Sequence, residues 1–245
     1  MAAGVRGERS RGVYWIVLSR PEKLNSLDTQ TLEEARRILQ EACGDPEVRV
    51  VAITGEGRLF SAGIDLGEVA SAAGPAEASR PFRALGDLIG AMLDCAKPVV
   101  AVLNGPAVAG GAELAAAADL AYAVEGAWLQ WPEVKWGLIP PVAASLPLPP
   151  PLKARLVVAA EKLDAPEALR HGLLSGVYPS MEEARGAVEA LAGLIEEAGW
   201  EAVEAALEAV RRPKRAAVEL ASRLVGLASS ERLIEKARAF IASRR

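Results

Sequence analysis

The sequence predicts an α/β fold with a helical C-terminal region, on two observations. Residues 13–19, 48–54 and 98–103 are short apolar runs rich in β-branched side chains, a composition typical of buried strands. Between the first two, residues 31–43 place apolar side chains at helical spacing, and from residue 181 to 245 this spacing continues almost without a break. Strands therefore alternate with helices first, and helices alone follow.

Local signals place further elements along the chain. Asp28 is a candidate N-cap of the first helix, and the Gly-Asp-Pro sequence at residues 44–46 ends that helix. A helix between the strand at 98–103 and a strand at Leu120–Val124 completes a βαβ unit. Residues 140–151 hold six prolines, too many for a helix interior or a central strand, which predicts a loop or a polyproline wall.

The composition limits the partners and the compartment. With 245 residues, 51% of them hydrophobic, the chain can bury a large core in one large domain or two small ones. A net charge of −4 without a basic stripe argues against nucleic acid as the principal partner. The polar N-terminus has no apolar signal segment, and no uncharged apolar stretch reaches the roughly 20 residues of a membrane span. We therefore expect a cytoplasmic protein with neither nucleic acid nor membrane as a partner.

Cysteine and histidine are scarce, which restricts the chemistry. Cys43 and Cys95 show neither a disulfide framework nor the spacing of metal ligands, so we expect two buried, small apolar side chains. His171 is the single histidine, which excludes clustered-histidine zinc sites and leaves a catalytic triad only one candidate base. It lies near the end of a short helix predicted after Asp164, where a structural role is expected. No metal site is predicted.

Residues 104–120, NGPAVAGGAELAAAADL, are the strongest candidate for a functional site. A strand leads to the Asn104-Gly105 turn, and Gly110-Gly111 then open an alanine-rich helix. Glycine lets a ligand approach the backbone, and the N–H groups of the first helical turn, which lack intrahelical partners, suit a developing negative oxygen. Glu113 lies about one turn into this helix, within reach of whatever those N–H groups hold.

Five segments stand out together and in order. They are LSRPEKLNSLD, VVAITGEGRLFSAGIDL, KPVVAVLNGPAVAGGAELAAAADL, WPEVKWGLIP and DAPEALRHGLL. In order and spacing they resemble the enoyl-CoA hydratase (crotonase) superfamily, over roughly residues 13–178. Each segment alone is a weak motif, but the five together are specific.

The resemblance implies a fold, an assembly and a substrate class. It implies a crotonase-like spiral of ββα units over residues 1–180, which holds the acyl-CoA site, and a helical oligomerisation region over residues 181–245. Members of the superfamily form trimers, often paired as hexamers, so a homotrimer or homohexamer is expected. The substrates are acyl-CoA thioesters, and no cofactor is implied beyond the coenzyme A that belongs to the substrate.

The same resemblance assigns an oxyanion hole and two carboxyl groups. The backbone N–H groups of Ile64 and Gly110 would hold the thioester oxygen as it becomes an enolate. Glu113 and Glu133 match the two glutamates of the hydratases; we assign Glu113 to the water and Glu133 to the proton delivered to the α-carbon. The plainer alternative is that each glutamate is a surface charge or a helix cap.

The coenzyme would lie against two loops, the one with the RPEKLN sequence and the one with AGIDL. The residues that match the family there are Lys23, Leu24, Ala62, Asp65 and Leu66. Two roles are equally expected for Lys23: it contacts a phosphate of the coenzyme, or it is a solvated lysine in a loop. Asp65 is expected to cap a helix or order its loop rather than touch the substrate.

One segment departs from the hydratase pattern. Many hydratases continue past the Pro-Glu dipeptide with a glycine-rich segment, whereas this chain has GLIPPVAASLPLPPP, so Pro141 and Val142 reshape the acyl pocket. The GLIPPVAAS sequence at residues 137–145 resembles the branch that includes methylglutaconyl-CoA hydratases. Trp128, Trp131 and Trp136 surround the second glutamate, where they serve as core, interface or pocket wall.

The predicted function is that of an enoyl-CoA hydratase, a carbon–oxygen lyase that adds water across the 2,3 double bond of a short or branched 2-enoyl-CoA thioester. The alternatives on the same scaffold are a double-bond isomerase, a thioester hydrolase or a decarboxylase. A further alternative, from a different class, is a homologue that binds acyl-CoA without catalysis.

Overall fold

Two β-sheets organise the part of the chain that the computed structural model describes, residues 4–243, without the side chains of residues 217–219 and 222. In chain order the strands are β1 (Val5–Ser10), β2 (Val13–Leu18), β3 (Val50–Gly55), β4 (Val99–Leu103), β5 (Ala107–Val108), β6 (Leu120–Val124), β7 (Trp128–Gln130), β8 (Leu163–Asp164) and β9 (Gly176–Tyr178). The main sheet has the order β1-β2-β3-β4-β6-β9, and the small sheet has the order β5-β7-β8. Within the main sheet β1 and β2 are antiparallel, and the other neighbouring strands are parallel.

Helices surround the sheets and make up the C-terminal region. In chain order they are α1 (Thr29–Gly44), α2 (Leu66–Ser71), α3 (Pro75–Ala78), α4 (Arg80–Asp94), α5 (Gly110–Ala117), α6 (Pro141–Ser145), α7 (Pro150–Val157), α8 (Ala165–Arg170), α9 (Met181–Glu197), α10 (Trp200–Arg211), α11 (Ala216–Ala228) and α12 (Glu231–Ala242). Short 3-10 turns lie at Pro21–Lys23, Glu133–Trp136 and Arg212–Arg215. No helix in the described residues combines the length and the apolar character needed to cross a bilayer. The predicted α/β fold with a helical C-terminal region is confirmed.

The apolar strands are buried on both faces, as their unbroken hydrophobic runs predict. In β2, Ile16 and Leu18 belong to the core that α1 and α4 cover. Trp15 and Val17 face the opposite side, where they pack in a second core with Val188 of α9. Alternate side chains of one strand thus serve two layers of helices.

The parallel strands β2, β3 and β4 end at one edge of the main sheet. Leu18 is in register with Gly55, and Thr54 with Val102, so the three strand ends are level. The loops that leave this edge are residues 19–28, 56–65 and 104–106. Ligands of open α/β sheets bind outside such carboxyl ends. The glycine-rich segments of the sequence therefore lie at the expected edge.

The proline-rich segment forms two helices, so the prediction of a loop or polyproline wall at residues 140–151 is wrong. Helix α6 begins at Pro141 and α7 begins at Pro150. Proline is favoured at the first helical position, because its missing N–H would have no intrahelical partner there and its φ already suits a helix. The prolines therefore start helices instead of preventing them.

The two cysteines form a disulfide, so the prediction of two unpaired side chains is wrong. Cys43 lies in the last turn of α1 and Cys95 follows α4; their Cα atoms are 5.6 Å apart although 52 residues separate them in sequence. The pairing arises because α1 and α4 lie side by side on the same face of the sheet. Spacing along the chain does not reveal that adjacency.

A buried arginine fixes the C-terminal helices to the core of their own chain. Arg211, at the end of α10, is 4% exposed, and its Nε donates a hydrogen bond of 2.7 Å to Asp119. A guanidinium N–H group also donates to the carbonyl oxygen of Lys97 at 2.8 Å. Because the charge is paired and its donors have acceptors, burial of this arginine is tolerated. It anchors the chain directly before α11 and α12.

Candidate active site

Backbone hydrogen bonds join the loops that leave the carboxyl edge of the sheet. The Ala62 N–H donates to the Leu24 carbonyl at 3.0 Å, and the Val108 N–H donates to the Ser61 carbonyl at 2.9 Å. The Leu27 N–H donates to the carbonyl of Gly63 at 2.8 Å. The loops after β2, β3 and β4 thus form one rigid surface.

Close approach between two of these loops requires glycine. Gly63 has φ +85°, and a Cβ atom there would lie 2.8 Å from the Val108 carbonyl oxygen and 3.0 Å from the Gly110 nitrogen. A Cβ atom on Gly111 would lie 2.7 Å from the Ser61 carbonyl oxygen. Helix α5 can therefore begin directly against the Ser61-Ala62-Gly63 turn.

The start of α5 is backbone-strained at a residue that is not glycine. Ala109 has φ 50° and ψ −123°, a conformation that costs an L-residue about 1–3 kcal/mol. It turns the chain from β5 into α5. Neither the Gly110 N–H nor the Ile64 N–H donates to any acceptor in residues 4–243. Both residues line the same cavity, so the two N–H groups are available to an anionic oxygen there.

The Glu113 carboxylate is held by the first turn of α6. Its side chain is 1% exposed; the Val142 N–H donates to Oε2 at 2.7 Å and the Ala143 N–H donates to Oε1 at 3.0 Å. Burial raises the pKa of Glu113 to about 7, and the two backbone N–H groups act in the opposite direction. The carboxyl group is therefore poised between its charged and neutral forms at neutral pH.

The Glu133 carboxyl group has a different environment. Glu133 begins the 3-10 turn after Pro132 and is 7% exposed, and its Oε2 has no hydrogen-bond partner in residues 4–243. Burial first, and then the charge of Glu113, raise the pKa of Glu133 well above its ordinary value. The charge of each carboxyl group opposes ionisation of the other, so the two titrate as a pair.

One cavity of about 800 Å³ is lined by both glutamates and by Ile64 and Gly110, the two residues with free N–H groups. The predicted site residues that line it are Lys23, Leu24, Ala62, Ile64, Asp65, Leu66, Gly110, Glu113 and Glu133. The structure therefore brings all the candidate residues to one place. Their individual roles stay predictions.

The coenzyme loops are ordered by Asp65. Its Oδ1 caps α2 by accepting from the Gly67 N–H at 2.9 Å, as the sequence predicts, and its Oδ2 pairs with Arg20 at 3.0 Å. Lys23 Nζ is 3.8 Å from Oδ2. Burial opposes ionisation of Asp65, but the Gly67 N–H and the two cations outweigh it and lower the pKa of Asp65. Arg20 lies in the RPEKLN sequence, but the sequence alone assigns it no role.

The three tryptophans near Glu133 have three different environments. Trp131 is fully buried in the core, and Trp128 carries the Lys162 ammonium 4.0 Å from its ring centre. Trp136 lines the cavity, edge to face with Phe240 of α12 at 5.4 Å between ring centres. Trp136 is therefore a pocket-wall residue, one of the three alternatives that the sequence leaves open for these tryptophans.

His171 is remote from this chemistry. It follows α8, with Nε2 3.8 Å from the Glu167 carboxylate, and it does not line the cavity. In the described residues no group of three or more His, Cys, Asp or Glu side chains is arranged to hold a metal ion.

Sequence and structure comparisons agree with this geometry. The enoyl-CoA hydratase/isomerase family model matches residues 8–238, so the chain belongs to that family. Among curated relatives, the chain is 36% identical over 174 residues to the mitochondrial enoyl-CoA hydratase domain-containing protein 3 of Danio rerio, with 70% of this chain and 60% of that protein aligned. It is 34% identical over 232 residues to the carnitinyl-CoA dehydratase of Escherichia coli strain K12, with 92% and 87% aligned.

The same fold occurs in a solved enoyl-CoA hydratase/isomerase from Mycobacterium paratuberculosis. That structure matches with a TM-score of 0.86 at 27% identity, over 100% of this chain and 99% of the other. The predicted crotonase-like fold is thereby confirmed. The chain spans about three fifths of the length of the Danio rerio relative.

Proposed function

We propose that the protein is a hydratase that adds water across the 2,3 double bond of a short or branched 2-enoyl-CoA thioester. The observation that carries this proposal is the burial of two carboxyl groups, Glu113 and Glu133, in the same cavity as the free N–H groups of Ile64 and Gly110. Family membership supports the class of substrate. Lys23, Leu24, Ala62, Asp65 and Leu66 line the part that we assign to the coenzyme.

The proposed reaction begins with the thioester oxygen between the Ile64 and Gly110 N–H groups. Glu113 takes one proton from water, the water oxygen bonds to C3, and the electron pair of the double bond moves onto the thioester as an enolate. The two N–H groups stabilise that negative oxygen. Glu133 then gives its proton to C2, and proton exchange between the two carboxyl groups restores the starting state.

The surroundings of the two glutamates support this division of roles. Two N–H groups stabilise the ionised form of Glu113, which suits a base. Burial and the charge of Glu113 oppose ionisation of Glu133, whose Oε2 has no hydrogen-bond partner in residues 4–243, which suits an acid. The pair thus supplies one proton acceptor and one proton donor at the same pH.

An isomerase is the second candidate. Moving a double bond needs a single positioned base, and either of the two carboxyl groups could serve as that base. A hydrolase, a decarboxylase and a protein that only binds acyl-CoA are the remaining alternatives. The hydratase reaction gives each carboxyl group a role, one as base toward water and one as acid toward C2.

The test compares wild type with Glu113→Gln, Glu133→Gln and the exposed control Glu125→Gln. We expect the ultraviolet absorbance of crotonyl-CoA to decrease in the presence of the wild type and of the control, because hydration removes the conjugated double bond. We expect kcat of each site variant to be about 10²–10⁴-fold lower. Equal rates in all four proteins would contradict the proposal. A shifted double bond without water uptake would support the isomerase, and tight binding without turnover would support the binding protein.

A further inference from the structure

We propose that the acyl end of the cavity accepts an uncharged aliphatic chain and discriminates against an acyl group that carries a carboxylate. This inference rests on the proposed function and names its substrate class. It departs from the carboxylated methylglutaconyl group that the resemblance of the GLIPPVAAS sequence suggests.

We assign the acyl end of the cavity to the apolar wall that the C-terminal helices of the same chain form. Leu224 of α11 and Leu233 of α12 line the cavity, and both are buried, at 4% and 1% exposure. They pack in one apolar cluster with Phe82 of α4 and Leu138, and the side chain of Ile64 packs against that cluster. The apolar wall therefore adjoins the residue whose N–H we assign to the thioester oxygen.

Hydrogen bonds from two cationic side chains hold α12 against the rest of the cavity wall. Arg238 Nε donates to the Ala70 carbonyl at 2.9 Å, next to the end of α2, and Lys236 Nζ donates to the Lys135 carbonyl at 3.2 Å, two residues past Glu133. Trp136 contacts Phe240 edge to face, which adds an aromatic contact between the 3-10 turn at Glu133–Trp136 and α12. Lys236 and Arg238 are thus directed to backbone carbonyls, and no cationic residue of α12 lines the cavity.

The charges that line the cavity in residues 4–243 are few. They are Lys23, Asp65 and the two carboxyl groups Glu113 and Glu133. Lys23 is the single cation among them, and its side chain is 58% exposed with Nζ 3.8 Å from Asp65. An anion at the acyl end would meet leucine, isoleucine and aromatic side chains and two carboxyl groups, with no cation in the described lining to pair with it.

The consequence for selectivity is physical. A carboxylate that enters an apolar wall loses its hydration and gains no partner, which costs far more than a methyl group in the same place. A methylene group in such a pocket improves kcat/KM by about tenfold or more. The cavity therefore favours substrates with a longer aliphatic acyl chain and disfavours substrates whose acyl chain carries a negative charge.

The experiment uses two substrates of equal carbon count. In trans-2-hexenoyl-CoA the chain ends in a methyl group, and in 2,3-didehydroadipoyl-CoA a carboxylate replaces that methyl group. We expect kcat/KM for the hexenoyl substrate to exceed that for the carboxylated one by about 100-fold or more. Equal values, a preference for the carboxylated substrate, or a preference for crotonobetainyl-CoA with its cationic group would overturn the inference.

A designed cation provides a second test. Ile241→Arg places a guanidinium on the α12 wall, and Leu227→Arg is the control on α11, at a position 43% exposed and outside the cavity. We expect Ile241→Arg to lower the ratio of kcat/KM for the hexenoyl substrate to kcat/KM for the carboxylated substrate at least tenfold. We expect Leu227→Arg to leave this ratio unchanged. An unchanged preference in a folded Ile241→Arg protein would contradict the placement of α12 at the acyl end.

Binding separates this inference from the proposed function. If no enoyl thioester is hydrated, the proposed function fails, and calorimetric titration of the wild type with hexanoyl-CoA and adipoyl-CoA still tests the inference. Tighter binding of hexanoyl-CoA by about 100-fold supports it. Equal or tighter binding of adipoyl-CoA overturns it.

Discussion

At the residue scale, Glu113 and Glu133 differ in what contacts their oxygen atoms. Glu113 receives N–H groups on both oxygens, whereas Glu133 Oε2 receives none from the described chain. Burial raises the pKa of both groups, so the folded protein retains protons that an unfolded chain has already released. The pair therefore lowers the free energy of unfolding as the pH rises above about 4.5.

Glu133→Gln should stabilise the protein, and more so at higher pH. The folded-state pKa of Glu133 is raised above its unfolded value, so its contribution is present at pH 5 and is lost as the pH rises toward that raised value. Glutamine does not ionise, and Oε2 accepts no hydrogen bond that an amide would break. Urea unfolding should show a larger gain in the free energy of unfolding at pH 8 than at pH 5. The same gain at both values, or a gain in Glu125→Gln, would refute this.

Gly63→Ala should remove activity far more than it removes stability. The positive φ and the close Val108 carbonyl oxygen force a shift of the Gly63–Ile64 peptide, which carries one of the two free N–H groups. We expect kcat to fall about 10²–10³-fold, as for loss of one oxyanion donor. Gly90→Ala on α4 is the matched control, because a Cβ atom there meets nothing within 4 Å. A similar kcat for both variants would show that the Ile64 N–H is not used.

At the element scale, helices α1 and α4 are tied by the Cys43–Cys95 disulfide, and the cross-link closes a segment of 52 residues. A loop of this length restricts the unfolded chain and contributes about 2–4 kcal/mol to stability. Both sulfur atoms lie away from the cavity. The bond therefore supports the scaffold and takes no part in the chemistry.

Reduction should lower the free energy of unfolding by about 2–4 kcal/mol and leave the kcat of the folded protein unchanged. Chemical unfolding with and without dithiothreitol, alongside Cys43→Ala, measures the effect. Thiol titration of the untreated protein in denaturant should find no free thiol in the chain, which contains just two cysteines. Two free thiols, or identical stability after reduction, would contradict the assignment.

At the scale of the whole molecule, the family resemblance predicts a homotrimer or homohexamer. Exposed apolar side chains on the C-terminal helices, Leu194 on α9 and Val210 on α10, are candidates for contacts between copies. Light scattering should give about three or six times the chain mass of 25.7 kDa. A monomer at micromolar concentration would contradict the prediction, and Leu194→Glu tests whether α9 contributes.

The sequence predicts β2, β3, β4 and β6, the main helices and the loops at the sheet edge because local patterns encode them. It misses β1, a charged edge strand that pairs with β2 through the Arg11-Gly12 turn, where both φ angles are positive. It misses the strained Ala109, since alanine gives no signal for positive φ. The disulfide and the wall formed by α11 and α12 depend on contacts between segments distant in sequence, which periodicity does not report.

The central claim is that water adds to an enoyl thioester between Glu113 and Glu133. Mass spectrometry of the product formed from trans-2-hexenoyl-CoA in ¹⁸O-labelled water tests it most directly. We predict one ¹⁸O atom at C3 of the 3-hydroxyacyl product of wild type, and a rate of labelling lowered about 10²–10⁴-fold in Glu113→Gln and in Glu133→Gln. An unlabelled product, or labelling at equal rates in the three proteins, would contradict the account.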